Sequence, residues 1–174
     1  MPHPLPASNR LRLRELHAGD AVAMLALLND PDFIAHIGDR GVRTEAQALA
    51  YLEAGPFTGY RAHGYSLWAV EALPGGEFAG VCGLIRRDTL PDPDIGYAFL
   101  PAWRGRGLAA EAGRLVLGHA FEVLRLPRVL AIVTETNAAS RRLLESLGLR
   151  SQGPREVGTE TLLVYAIEAP APGA

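Results

Sequence analysis

The sequence predicts an α/β fold built on a mixed sheet. Three observations carry that prediction: stretches that alternate apolar and polar residues at the period of a strand, helical windows set between them, and a glycine-containing turn that leads from a strand into a helix. That turn reads Trp103-Arg-Gly-Arg-Gly-Leu-Ala-Ala-Glu-Ala112.

In chain order, Leu11-Arg-Leu-Arg-Glu-Leu16 has the period of a half-buried strand. Gly19-Asp20 starts a helix running to about Leu28, and Thr44-x-x-Gln47 is a capping box for a second running to about Ala54. Tyr65 to Glu71 and Phe78 to Arg86 read as strands joined by the Leu73-Pro-Gly-Gly76 turn, and a third strand covers about Ile95 to Leu100. The glycine turn opens a helix to about Leu124, with Leu108, Ala112, Leu115, Val116, His119 and Val123 on one side. Arg128 to Thr134 is a short apolar strand. A helix from about Ala138 to Leu147 ends at Gly148, and a last strand covers about Thr161 to Ile167.

At 174 residues and 48% hydrophobic content, the chain can fill one core. A single domain over residues 9–168 is expected, with flexible tails at 1–8 and 169–174. The start lacks a basic and apolar leader, and no apolar run reaches the roughly 18 residues of a membrane span, so the expectation is a cytoplasmic protein without membrane contact. Cys82 is the only cysteine, which excludes an internal disulfide and a cysteine-built zinc site; the five scattered histidines form no H-x-x-x-H pair, and no metal is expected. All 17 basic residues are arginines, so neither a Walker lysine nor Schiff-base catalysis is available. Residues 100–150 hold eight arginines against four acids in a chain of net charge −2. A local basic segment in an acidic chain suits a compact polyanion rather than nucleic acid, which is not expected as a partner.

The spacing Gly105-x-Gly107-x-x-Ala110 matches a dinucleotide fingerprint, but its context does not. Pro101-Ala-Trp-Arg104 separates the strand from the first glycine, the residue 20 positions on is Arg125, and three strands precede the motif. A shifted register, Arg104-x-x-Gly107-x-Ala109, fits better. Small residues let the backbone curl around an anion, the first-turn amides have no intrahelical acceptors, and Arg104 and Arg106 can add charged donors. The other reading is a turn that simply packs against a strand.

With these motifs in view, residues 9 to 167 resemble the GNAT N-acetyltransferases, and within them the RimJ/RimL-like branch of ribosomal-protein-alanine acetyltransferases. The resemblance rests on the opening Arg-Leu-Arg-Leu-Arg14, Gly38-Asp-Arg-Gly-Val-Arg-Thr44, Asp94-Ile-Gly-Tyr97, the glycine turn, and Thr136-Asn-Ala-Ala-Ser-Arg-Arg-Leu-Leu-Glu-Ser-Leu-Gly148. It implies a GNAT fold: a mixed, mostly antiparallel central sheet with a splayed parallel strand pair and flanking helices. It further implies an acetyl-CoA-dependent transferase that passes an acetyl group to a primary amine, a protein N-terminal α-amino group or a small-molecule amine, by direct attack in a ternary complex. A CoA-binding regulatory module of the same fold without transfer is the alternative. A monomer or a homodimer is compatible with either.

By the same resemblance, Arg104, Gly105, Arg106, Gly107, Leu108 and Ala109 hold the pyrophosphate of acetyl-CoA, and backbone groups near Phe99 and Leu100 take the pantetheine arm. Asn137 bonds that arm and Ser140 sits near the sulfur; read locally, the two are a helix cap and a first-turn residue. Many relatives place a proton-donating tyrosine seven residues after the asparagine, where this chain has Leu144, which leaves Ser140 or a water it holds as the substitute. Asp94 is the candidate base, or else a surface charge at a strand start. Glu111, inside the motif helix, caps or orients the loop and is not read as catalytic. His119 reads as a core histidine and Cys82 as packing. Phe33, His36, Asp39, Arg40, Arg43, Tyr60, Tyr65 and Trp68 are available to shape an acceptor pocket.

Overall fold

The first strand, β1 (Leu11–Glu15), buries Leu11 and Leu13 and leaves Arg12 and Arg14 on its other side, as period-2 alternation requires. The computed structural model describes residues 3–173; residues 1, 2 and 174, the extremities of the expected tails, lie outside the described residues. Both arginines meet the buried Glu71 on the neighbouring β2 (Leu67–Ala72), and Arg14 also reaches Asp20 at 2.8 Å. This network holds the Glu71 and Asp20 carboxylates below their ordinary values despite burial.

After β1, α1 (Ala21–Leu28) and α3 (Glu45–Leu52) pack on one face of the sheet. Thr44 caps α3 through its box with Gln47, as its sequence requires. Two helices in this region went unexpected. α2 (Pro31–His36) is capped by Asp30 with proline at its first position, and α4 (Thr58–His63) continues from α3 through a wide turn over Glu53–Phe57 that absorbs Pro56.

Then come β3 (Glu77–Ile85), β4 (Asp94–Phe99), α5 (Leu108–Glu122), β5 (Arg128–Val133), α6 (Ala138–Ser146), β6 (Arg150–Val157) and β7 (Glu160–Glu168). Among the described residues, seven strands form one sheet in the order β1-β2-β3-β4-β5-β7-β6; all neighbours are antiparallel except β4 and β5. Side chains divide between the faces by alternation. Trp68, Val70, Cys82 and Leu84 join Val116, Leu144 and Leu147 beneath α5 and α6, while Ala69 and Val81 join Met24, Leu27 and Leu52 beneath α1 and α3. β6 was not expected either.

Residues 5–8, assigned by sequence to a flexible tail, are tied down. Leu13 N–H donates to the Pro6 carbonyl at 3.2 Å, Ser8 N–H to the Leu11 carbonyl at 2.8 Å, and Leu5 packs on the core. Among the described residues, no helix is long and apolar enough to cross a membrane.

Candidate active site

β4 and β5 share a single paired position, Asp94 opposite Leu130, and part beyond it. On its other edge β4 pairs with β3, and Leu100 N–H donates to the Ala79 carbonyl at 2.9 Å. Because antiparallel bonding alternates, the amides of residues 96 and 98 also point to β3, and those of Tyr97 and Phe99 point into the gap. Leu100, expected beside Phe99 as a backbone ligand, has its N–H committed to β3; Tyr97 takes its place as the second residue whose amide faces the gap. The gap opens into a cleft of about 1110 Å³. Thr134, just after β5, lines it, and its Oγ1 is buried without a protein partner.

The glycine turn closes one end of the cleft. Gly105 (φ 71°) and Gly107 (φ 75°) both lie in the left-handed region, so the turn needs two glycines and not Gly107 alone. Glu111 N–H bonds the Gly107 carbonyl, which leaves the amides of Leu108, Ala109 and Ala110 without intrahelical acceptors at the positive end of α5. Arg10 braces the turn from below: it donates to the Arg106 carbonyl at 2.9 Å and to Glu111, which also accepts from Ser8. Glu111 thus orients the loop, as its place in the motif suggests.

The arginines of the turn divide. Arg104 is not a free anion ligand: its guanidinium donates to the Phe99 carbonyl at 3.0 Å, to Asp32 at 2.8 Å and to the buried Asp30. It locks the turn to α2 instead. Arg106 lies over the Trp103 ring, 4.9 Å from its centroid.

At the mouth of the splay, Asp94 is 1% exposed and bonds Arg87 Nε at 2.9 Å. Burial outweighs the arginine and pushes its carboxyl up to about 6. A surface charge is therefore excluded. Across the gap, Asn137 caps α6 by accepting Ser140 N–H at 3.1 Å, and Ser140 Oγ lies 2.5 Å from the Tyr97 hydroxyl. All five side chains line the cleft. Leu144 is buried and offers no hydroxyl.

Of the residues proposed for an acceptor pocket, Phe33, His36, Arg40 and Tyr65 line the cleft. The others do not. Asp39 and Arg43 pair with each other on the surface, Trp68 is core, and the Tyr60 hydroxyl accepts from Leu16 N–H at 3.0 Å while donating to the Leu67 carbonyl. His119 is buried edge-on against Trp68, with its imidazole held below its ordinary value by burial. Cys82 is fully buried and its thiol is pushed up to about 12, so it packs and does not react. The sequence reading missed Arg87, the Asp30 and Asp32 anchors, and β6 with its turn into the expected β7, where Val157, Gly158 and Glu160 border the cleft. Asp30-Pro31, a cap followed by proline, was the available signal for the anchors.

A family model described as an acetyltransferase (GNAT) domain matches residues 10–150. The protein YkkB of Bacillus subtilis (strain 168) is 30% identical over 161 residues, covering 91% of this chain and 92% of that one. A RimL ribosomal L7/L12 α-N-protein acetyltransferase in complex with coenzyme A superposes with a TM-score of 0.77 at 16% identity, over 96% of this chain and 98% of that one. A spermidine N-acetyltransferase from Vibrio cholerae, in complex with CoA and spermine, gives 0.76 at 17% identity over 92% and 96%. With its fold, its family model and its relatives in agreement, the chain belongs to the GNAT acetyltransferases.

Proposed function

We propose that this acetyltransferase takes its acetyl group from acetyl-CoA and passes it to a primary amine by direct attack, with both substrates bound together. The acceptor is a protein N-terminal α-amino group, as in the RimJ/RimL branch, or a small-molecule amine. The observation that carries the reading is the row of unpaired amides at Tyr97 and Phe99 that continues to the amides of Leu108 to Ala110. The first two suit the amide-bearing pantetheine arm and the last three the pyrophosphate. The orphaned Thr134 hydroxyl and the free polar atom of the Asn137 cap supply further partners along the same gap.

When bound, acetyl-CoA supplies an activated thioester carbonyl. A strand amide facing the gap donates to the carbonyl oxygen as negative charge develops there. Asp94 receives the proton that the amine sheds, directly or through water; a carboxylate near 6 is ionised at neutral pH yet basic enough to hold a proton in passing. An α-amino group, with a pKa of about 7.7–8.0, asks little of such a base.

Thermal shift separates the donors. A hundredfold excess of CoA over its Kd raises Tm by roughly 5–10 °C in a chain of this size, and NAD leaves it unchanged. Stabilisation by NAD and none by CoA overturns the reading. Thiol release with a panel of peptides and amines then tests transfer; CoA binding without turnover favours the binding module.

A further inference from the structure

The Asp94-Ile-Gly-Tyr97 motif ends in a tyrosine whose backbone amide faces the gap and whose side chain reaches a different partner. Its side chain crosses from β4 to the first turn of α6, where the hydroxyl lies 2.5 Å from Ser140 Oγ and 3.4 Å from the Ser140 carbonyl. Ser140 is itself held in place, since its N–H is taken by the Asn137 cap. Both hydroxyl-bearing residues line the cleft, and Leu144, one turn further along α6, is an apolar core residue.

We propose that Tyr97 is a positioning residue for Ser140: its O–H donates to Ser140 Oγ and so turns the serine's own proton toward the cleft, where it donates to the departing thiolate of CoA. The assignment rests on the donor reading above. Either oxygen can donate its proton across the 2.5 Å contact, and the tyrosine is assigned as the donor. Each hydroxyl has one proton, and when the tyrosine spends its own on Oγ the serine proton must find another acceptor. The neighbouring backbone amide is a donor, so the open direction is the cleft.

The pair holds the leaving group as an anion and does not protonate it. Burial pushes the Tyr97 hydroxyl up to about 12, whereas a free thiol titrates near 8.5, so a full transfer from tyrosine to sulfur runs uphill. As the C–S bond breaks, its electron pair goes to sulfur and the carbonyl re-forms. The amine's proton goes to Asp94 and on to water, and the thiolate leaves as an anion that takes its proton from solvent. Two aligned hydroxyls thereby stabilise the departing anion in a site where Leu144 offers no hydroxyl.

The test reads the thiol of bound CoA, which needs no acceptor and no turnover. Its pKa in the binary complex is followed by thiolate absorbance in the ultraviolet, for the wild type, Tyr97→Phe, Ser140→Ala and the double variant. A lost donor to an anion is expected to raise the bound thiol pKa by about one unit, tenfold in the thiolate equilibrium, in each single variant. The double variant is expected to match Ser140→Ala, because Tyr97 acts through Ser140. In transfer assays the same variants lower kcat and leave the KM for acetyl-CoA near its wild-type value. CoA titration by calorimetry shows whether each variant still folds and binds; a purely structural loss moves that affinity and not the thiol pKa. If CoA does not bind the wild-type chain, the donor reading itself falls. If CoA binds and its thiol pKa is the same in all four proteins, the donor reading stands and the role of Tyr97 is overturned.

Discussion

Arg104→Ala separates a structural arginine from a phosphate-binding one. The guanidinium joins the glycine turn to α2 through Asp30 and Asp32 and also holds the Phe99 carbonyl. Breaking a buried ion pair costs about 3–5 kcal/mol because the surviving charge is stranded, and an exposed pair is worth about 0–1 kcal/mol. This pair lies between those limits. Asp30 is 7% exposed but keeps its bond from Phe33 N–H, and the Arg104 side chain is 35% exposed. A loss of about 2 kcal/mol follows, which in a domain of this length lowers Tm by roughly 4–8 °C. Calorimetric melting of Arg104→Ala, Asp30→Asn and the double variant is the assay. The double variant is expected to lose less than the two single losses added together, since the partners share one interaction. CoA affinity is expected to change by less than about threefold, because the turn's amides and not this guanidinium face the anion. An unchanged Tm together with a CoA affinity weakened tenfold or more would show the guanidinium at the phosphates and refute the reasoning.

Three further outcomes follow from the same geometry. Wild-type kcat/KM should fall about tenfold per pH unit below about 6, as Asp94 is protonated, and Asp94→Asn should lose most above pH 6 and little below it; an unchanged pH–rate profile counts against Asp94 as the base. Gly107→Val forces a β-branched residue to φ 75° and sets its side chain against Arg10, which braces the turn, so it should distort the turn and raise the KM for acetyl-CoA severalfold while α5 remains folded by circular dichroism. His119 is depressed by burial, so the unfolded chain binds its proton first: the stability it contributes is complete above the ordinary value near 6.5 and drains as pH falls through the lower folded value. Melting from pH 7 to 5 should show that slope reduced in His119→Gln; identical slopes would place the buried proton elsewhere.

Where local chemistry decides structure, the sequence was a good guide. The Leu11 and Leu13 alternation, the Thr44–Gln47 box and the Gly148 stop each describe a short-range preference, and β1, α3 and α6 obey them. β6 was invisible for the opposite reason. Arg150-Ser-Gln-Gly-Pro-Arg-Glu-Val157 has no alternation, and as an edge strand with a bulge it is held only by β7. α4 hid behind Gly55-Pro56, which reads as a break until a wide turn takes up the missing N–H.

The site divides in the same way. The glycine turn and the Asn137 cap are contiguous in sequence and were legible, and the family resemblance pointed to Asp94 and Ser140. Their partners were not legible. Arg87 against Asp94, Tyr97 against Ser140, and Asp30 with Asp32 against Arg104 are meetings between different elements, 7, 43 and more than 70 residues apart. Burial reverses the character of Asp94 and the ion pairs redirect Arg104; neither effect is written in residue type or spacing.

Amide hydrogen exchange with and without CoA tests the central claim most directly, because that claim concerns backbone N–H groups. Added CoA should slow exchange at Tyr97 and Phe99 and at Leu108, Ala109 and Ala110, the amides that lack a protein acceptor, and leave Ala98 and Leu100 as they were on the β3 side. Protection confined to other segments, or none at the unpaired amides of β4 and α5, would contradict a donor site built from the splayed strand and the glycine turn.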